Sequence, residues 1–465
     1  MRAPRAGGAR PPAAIRAALG ELFSAAIEAL EPGRLVARVL RLRATGLELR
    51  GPRGLLASLS TARGVVVVGA GKGAAGLAAA VEAHLGPAVA AGLVIVPPGY
   101  ERRLARVSLA IGSHPLPDRR SVGATARLLA ALDRTPEATV LVLLTGGASS
   151  LLASPAAGLT LADKRRATDL MLASGAGIAE LNAVRKHLSA VKGGRLGARL
   201  AGRPAAALVV SDVPGDDLSV IGGGPTVPDP TTYADARAVL ETYGLLGRVP
   251  ASVRRHLDSG AMGALSETPK PGDRALAGVL TLLLATNATA RAGVVREARR
   301  RGYQVALNAR RSIDGPTGLA ARAFAATIAR RQTALSGPRP AVLVAGGETT
   351  VALGPRPGRG GRNQEFALEV GRALAGRPGW ALLSAGSDGV DGPTAAAGAF
   401  ADGTTVARAE AAGRSIDRAL AHHNAFPLLS ALGDLFTPGP TGTNVADLKI
   451  ALVCKQAGWR LARGV

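Results

Sequence analysis

Lysine is rare in this sequence: seven of the 57 basic residues are lysines and the rest are arginines. A retained lysine among so many arginines marks a place that needs a compact point charge. Lys72 stands in Gly69-Ala70-Gly71-Lys72-Gly73, directly after the apolar run Val65–Val68. A strand, a glycine turn and a helix start suit an anion, with backbone amides as the cradle and the ammonium as counter-charge. Gly69, Gly71 and Ala74 fit the spacing of a dinucleotide fingerprint, but that fingerprint also needs an acid closing the next strand. Leu93–Val96 runs instead into Pro97-Pro98-Gly99. A Walker A loop is excluded too, because Val66 stands where its first glycine belongs. A tight turn with an exposed lysine is the plain alternative.

Similar turns recur along the chain. Thr145-Gly146-Gly147-Ala148-Ser149-Ser150 offers unhindered amides and two hydroxyls after an apolar run, suited to a carboxylate or phosphate or to capping a helix. Asn182–Leu196 reads as a helix stopped by Gly193-Gly194, with Arg185, Ser189 and Lys192 on one face and Lys186 beside them. His187 within it reads as a structural, hydrogen-bonding histidine. Asp212, Asp216 and Asp217 precede Gly222-Gly223-Gly224; such acids can hold Mg²⁺ or accept a proton, and the glycines let a ligand approach the backbone. Glu348 follows Gly346-Gly347, and Arg359 and Arg362 flank two glycines ahead of Asn363. Asp388 sits in Ser387-Asp388-Gly389, and Asn444 precedes Asp447. Any one of these is an ordinary loop taken alone. Repeated on successive strand ends, they imply a shared polar cleft.

The elements that must position these residues are short apolar runs alternating with Ala/Leu/Arg-rich helical stretches, the pattern of parallel α/β architecture. In such sheets ligands bind at the carboxyl ends of the strands, where these turns fall. The 465 residues suggest more than one domain. Pro, Gly and charge interrupt the pattern at Glu267–Asp273, which predicts a division near 275: a disordered tail over 1–14, a Rossmann-like α/β domain over 15–275 and a second α/β domain over 276–465.

Composition narrows the function classes. With 47% hydrophobic and 19% charged residues, a disordered chain is excluded. The net charge of +24 raises nucleic acid as a partner, but aromatics are 3% and the basic residues are scattered. No nucleic acid is therefore expected. Cys454, the single cysteine, excludes an intramolecular disulfide and reads as core filler. The uncharged stretch from Ala138 to Ala162 is broken by Gly146, Gly147 and Pro155, so no membrane span is expected. The absence of a secretory-type segment in the first residues points to the cytoplasm.

Taken in order, Gly69-Ala-Gly-Lys72, Gly112-Ser-His-Pro-Leu-Pro-Asp118, Thr145–Ser150, Asn182–Ser189, Ser211–Asp217, Gly346–Thr349, Gly361–Glu365 and Ser387–Gly392 resemble the glycerate 2-kinases of the MOFRL type. The resemblance covers about residues 15–455. It implies two α/β domains with mainly parallel sheets and an interdomain active-site cleft. It also implies ATP- and Mg²⁺-dependent phosphorylation of D-glycerate at the 2-hydroxyl. Apart from the resemblance, a homodimer is the candidate assembly. By this resemblance Lys72 and Arg362 stabilise the transferring phosphoryl group. Asp212 and Asp388 hold Mg²⁺ or accept the hydroxyl proton. Gly69, Gly71, Gly146, Gly147, Ser149, Ser150, Lys186, Lys192, Gly223, Gly224, Glu348, Arg359, Asn363 and Asn444 bind substrate or nucleotide. His114 contacts substrate or locks its loop. The competing readings are a nicotinamide-dependent hydroxypyruvate reductase and a non-catalytic sensor of nucleotide or sugar acid. The first lacks the ribose-binding acid, and the second has no need of clustered Lys, Arg and Asp.

Overall fold

The computed structural model describes residues 13–309, 311–354, 356–455 and 459. The chain divides into two compact units. One comprises residues 32–284; the other joins the described part of residues 1–31 to residues 285 onward. No helix among the described residues is long and apolar enough to cross a membrane.

The 32–284 unit is built on a six-stranded sheet in the order Ser108–Ile111, Val89–Val96, Val65–Ala70, Thr139–Leu144, Ala205–Val210 and Val279–Ala285. Its first five strands run parallel. Val65–Ala70, Thr139–Leu144 and Ala205–Val210 are buried along their whole length, as β-branched and aliphatic runs covered on both faces must be. Parallel strands place their carboxyl ends, and hence the glycine turns, along one edge. A separate helical core, with Met171, Leu181, Val184, Leu188 and Tyr233 fully buried, packs Leu161–Ala173, Ile178–His187 and Tyr233–Thr242 together.

The second unit's sheet runs in the order Gln304–Asn308, Ala341–Gly347, Asp447–Val453, Trp380–Gly386, Gly398–Asp402 and Leu435–Phe436. The expectation of mainly parallel sheets fails here. Only Gln304–Asn308 and Ala341–Gly347 pair parallel, and the other four pairings are antiparallel. A fully buried apolar run looks the same in either direction, so sequence could not assign the orientation of Asp447–Val453, the last strand, inserted in the middle.

The division also differs from one near residue 275. Val279–Ala285 is a strand of the first sheet. The Pro/Gly segment before it is anchored in the same unit, with Thr268 donating to Asp229 at 3.1 Å and the Asp229 amide donating to the Pro269 carbonyl at 2.8 Å. The helix Ala13–Glu28, expected in the first domain, packs on Asn287–Arg300 of the second. Gly293 permits that approach, since a Cβ there would lie 2.5 Å from the Ala25 carbonyl oxygen. Arg16 pairs with Asp434 at 2.5 Å, and the Phe23 and Phe436 rings meet edge-on at 5.1 Å. Most of the expected tail lies outside the described residues, and its residues 13 and 14 open this helix.

Candidate functional site

In the 32–284 unit the Gly-Lys turn is locked onto its neighbour. The backbone N–H of Lys72 donates to the Gly146 carbonyl at 2.8 Å, that of Gly73 to Thr145 Oγ1 at 2.9 Å, and that of Gly71 to the Ile95 carbonyl at 3.1 Å. Gly71, at φ +136°, has no room for a Cβ against Thr145, and one on Gly69 would collide with Leu143. The sequence suggested an amide cradle, but these N–H groups bond protein instead. The turn therefore acts as a clamp between two strand ends that fixes the origin of the half-buried Lys72 side chain. Gly147, at φ +86°, faces His114, whose ring carbon Cδ2 would lie 2.9 Å from a Cβ added there. His114 is thus packed on the Thr145–Ser150 turn. Ser150 Oγ is used within that turn, donating to the Gly147 carbonyl at 3.1 Å.

The helix expected to run to the Gly193-Gly194 stop ends at His187. Ser189 instead bridges to Pro155, and Lys192 falls in a turn. That turn is zipped to the triple glycine: Gly193 N–H donates to the Gly223 carbonyl at 2.9 Å and Gly194 N–H to the Gly224 carbonyl at 2.7 Å. A side chain on Gly223 would strike Lys192, 2.8 Å from its Cδ. Buried Lys192 Nζ donates to the Ser149 carbonyl at 2.7 Å, the Gly222 carbonyl at 2.9 Å and Ser149 Oγ at 3.1 Å. Arg185 Nη2 donates to the same Ser149 Oγ at 2.7 Å. Burial, then repulsion from Arg185 and Lys164, hold the Lys192 ammonium well below the usual lysine range; burial also lowers Arg185.

Lys186 is placed apart from this group. Its Nζ pairs with buried Asp229 at 3.1 Å, and Asp229 also accepts from Thr231 and Thr268. Burial disfavours the Asp229 carboxylate, but Thr231 and Lys186 hold it below its ordinary value. That is a self-contained structural pair, which differs from the expected ligand-binding role. His187 makes the hydrogen bonds expected of it, Nδ1 to the Ala183 carbonyl at 2.7 Å and Nε2 to Glu267 at 3.2 Å. Asp212 is half-buried just beyond the end of Ala205–Val210.

In the other unit the site grows from strand register. Asp447 opens the antiparallel central strand and lies opposite Gly347 on one side and Gly386 on the other. Its carboxylate therefore meets the ends of both flanking strands. Arg362, the first residue of the helix Arg362–Ala373, forks onto it through Nε at 2.8 Å and Nη2 at 2.9 Å, and its Nη1 pairs with Glu348 at 2.9 Å. Burial opposes the guanidinium charge, but Asp447 and Glu348 prevail and the proton is held more tightly than usual. Burial likewise opposes the Asp447 carboxylate, yet Lys449 and Arg362 keep it below the usual range. Lys449, fully buried, bonds Asn363 Oδ1 and lies 3.3 Å from Asp447.

Asp391 anchors the helix start. Its two carboxylate oxygens accept from the N–H groups of Asn363 at 3.0 Å and Gln364 at 2.9 Å, a charge placed where the helix dipole favours it. Burial, reinforced by Asp447, still pushes its carboxyl upward. Asn363 is buried and committed, accepting from Ser384 at 2.8 Å as well as from Lys449. Asn444 is tied into its own loop, accepting from the Ala446 N–H at 3.1 Å. Asp388, half-buried after Trp380–Gly386, accepts from the Val390 N–H at 3.1 Å. Arg359 is exposed and stacked over Phe426 at 4.7 Å. A cavity of about 340 Å³ adjoins Arg362, with Glu348, Leu353, Glu365, Pro393 and His423 in its lining.

Among the described residues no group of three or more His, Cys, Asp or Glu is gathered as a metal cage. Mg²⁺ needs none, since it keeps several waters and takes one or two carboxylates plus substrate phosphates. Asp212 and Asp388, each a half-buried hard oxygen donor at a strand end of its own unit, would each suit such a single-carboxylate role. Sequence reasoning gave Lys449 and Lys164 no site role; Arg185 entered it as one cation of the Arg185/Ser189/Lys192 face, and Asp391 and Asp447 only as members of their acidic turns. The scarcity of lysine, which singled out Lys72, Lys186 and Lys192, carried the same signal for Lys164 and Lys449.

The chain is similar to known proteins along most of its length. Residues 18–258 match a family described as a domain of unknown function (DUF4147), and residues 341–447 match the MOFRL family. The chain is 37% identical to a glycerate 2-kinase of Pyrococcus horikoshii, over 94% of this chain and 97% of that protein. It is 39% identical to a D-glycerate 2-kinase of Thermotoga maritima, over 84% and 90%. A relative from Agrobacterium vitis at 38% identity, over 94% of each chain, bears the provisional label of hydroxypyruvate reductase. A crystal structure of glycerate kinase from Thermotoga maritima superposes with a TM-score of 0.81 at 36% identity, covering 95% of this chain and 100% of that one. With both domains matched in order and the likeness running nearly end to end, the chain belongs to the glycerate 2-kinase family of DUF4147–MOFRL proteins.

Proposed function

We propose that the protein transfers the γ-phosphoryl group of ATP to the 2-hydroxyl of D-glycerate, giving 2-phosphoglycerate and ADP. The observation that carries this reading is the near-complete mutual coverage with glycerate 2-kinases. The local geometry supports it. Phosphoryl transfer asks for positioning and charge neutralisation more than covalent catalysis, and this chain fixes its cations by protein contacts before any substrate arrives.

In the 32–284 unit, Lys72 on its clamped turn neutralises charge on the moving phosphoryl group. Ser149 and Lys192, with His114 packed beside them, bind oxyanions. In the other unit, Arg362 presents a guanidinium already oriented by Asp447 and Glu348. Asp212 and Asp388 are the carboxylates assigned to the hydroxyl proton or to Mg²⁺, which when bound would neutralise the phosphate oxygens of the nucleotide. As the 2-hydroxyl gives its proton to a carboxylate, its oxygen bonds to the γ-phosphorus, the bond to the β–γ bridging oxygen breaks, and that electron pair leaves with ADP. Gly69, Gly71, Gly223 and Gly224 support the site by letting strands and side chains come close.

The reductase reading has less support, because Val89–Val96 ends at Pro97 without an acid for the ribose. The test uses purified full-length protein with D-glycerate and MgATP. Glycerate-dependent ADP release is expected, with a product that enolase converts directly to phosphoenolpyruvate, which requires phosphate on the 2-position. NADH oxidation with hydroxypyruvate and no ADP release would replace this reading with the reductase.

A further inference from the structure

Three cations of the 32–284 unit come together without an acid to balance them. Arg185 and Lys192 both donate to Ser149 Oγ, at 2.7 and 3.1 Å. Lys164, half-buried on Leu161–Ala173, lies in the repulsive field of Arg185, and Lys192 lies in the field of both. Among the described residues no carboxylate forms an ion pair with any of the three. Several other cations of the same unit are paired with acids, among them Lys186 with Asp229, Lys270 with Glu267 and Arg199 with Asp133. Gathering desolvated like charges costs stability, and such perturbed clusters concentrate at functional sites.

Ser149 adds an independent pointer. A hydroxyl has two lone pairs and one hydrogen. Arg185 and Lys192 both donate to its oxygen, which leaves the hydrogen of this half-buried hydroxyl able to turn toward solvent or a bound ligand. A hydroxyl and two cations meet here, with Lys164 near enough to act electrostatically on both cations, and among the described residues no carboxylate is ion-paired with any of the three.

We propose that Lys164, Arg185, Lys192 and the Ser149 hydroxyl form a socket for one oxyanion of the substrates, with Lys164 a binding residue in it. The oxyanion is the carboxylate of the hydroxy acid or a phosphate of the nucleotide, an assignment that rests on the kinase reading. A proton linkage follows. Burial, then Arg185, lower Lys164 to about 7, so a bound oxyanion, favouring the charged form, takes up a proton above that pH. Affinity falls as pH rises through 7. The elements packed on the Lys164 helix are Ile178–His187, which brings Arg185, and Ala251–Ala261. The latter carries Arg254, Arg255, His256 and Asp258, with Asp258 paired to Arg237 and His256 bonded to the His187 carbonyl. On its own helix, Asp163 is committed to Thr160.

The test uses full-length Lys164→Met, Lys164→Arg and Ser149→Ala proteins whose thermal unfolding matches the parent. For one substrate, KM at pH 7 is expected to rise at least tenfold in Lys164→Met and Ser149→Ala, with a smaller change in kcat and substantial rescue in Lys164→Arg. The substrate whose KM moves, D-glycerate or ATP, identifies the oxyanion. The rise of that KM between pH 7 and 8.5 should flatten in Lys164→Met. Calorimetric titration of the parent with D-glycerate, ATP and inorganic phosphate, each in two buffers of different ionisation enthalpy, should show proton uptake that Lys164→Met loses. If Lys164→Met fails to fold, Ser149→Ala and the parent titrations decide. Both KM values within twofold of the parent, with no proton uptake, would overturn the socket while leaving the kinase reading intact. No glycerate-dependent ADP release from the parent would sink the kinase reading, and the three titrations would still decide the socket.

Discussion

Arg362 and Lys72 are fixed in different ways, and the difference sets what each mutation should do. Arg362 is held by its side chain, forked on Asp447 and paired with Glu348. Lys72 is held by its backbone, through the clamp on Gly146 and Thr145. Replacing Lys72 with Ala keeps the clamp and removes only the ammonium, so kcat should fall by about 100-fold or more, as for loss of a strong electrostatic donor, with little change in unfolding. Asp447→Asn should do both kinds of damage. It leaves Arg362 and the fully buried Lys449 without their shared carboxylate, a break that costs about 3–5 kcal/mol for a buried pair. Urea unfolding and steady-state kinetics on the same preparation measure the two effects. The sign of the pH dependence follows. Asp447 is depressed in the folded state, so its contribution to stability is present above the unfolded carboxylate pKa and is lost as pH falls through the lower folded value. The stability gap between the parent and Asp447→Asn should therefore close in acid.

At the scale of elements, strand ends and helix starts do the positioning. The helix Arg362–Ala373 begins on the Asp391 carboxylate, and Gly361 has no space for a side chain against that group. Asp391→Ala removes the anchor and should cost about 1–2 kcal/mol, the usual range for a lost N-terminal cap. It should also lower kcat more than KM, because Arg362 is the first residue of the loosened helix. Denaturant unfolding with kinetics checks this, and an unchanged kcat would disconnect the helix start from turnover. Lys186 and Lys192 teach the complementary lesson. They share a motif in sequence, yet the helix stops at His187 and sends one inward to Asp229 and the other to Ser149. The glycines after Lys192 announced a helix stop, but not that it would come five residues early.

At the scale of the molecule, the first helix belongs to the unit formed by the C-terminal half of the chain. Ile15, Leu19, Leu22, Phe23 and Ala26 are buried, and Gly293 sets how closely Asn287–Arg300 approaches them. A side chain larger than hydrogen has no room there, so Gly293→Val should destabilise this unit by about 1–3 kcal/mol or more through overpacking. Two-domain unfolding followed by proteolysis should show early cleavage in residues 285–455 and unchanged protection of 32–284. A fragment beginning at residue 285 should likewise be poorly soluble unless residues 13–31 are supplied.

The alternation of apolar runs with helical stretches, the glycine turns at strand ends and the scarcity of lysine are local properties, and they determined the α/β class and most of the candidate site residues. Folding decided what distance in sequence conceals. Asp447 reaches Arg362 across 85 positions, because antiparallel register sets the start of one strand against the ends of two others. The amides of Lys72 and Gly73 are occupied by a turn more than 70 residues on. Lys164 gains its role only where Arg185 and Lys192 come within its field. Residue type is written locally, whereas burial, charge balance and hydrogen-bond satisfaction are properties of the neighbours a chain acquires on folding.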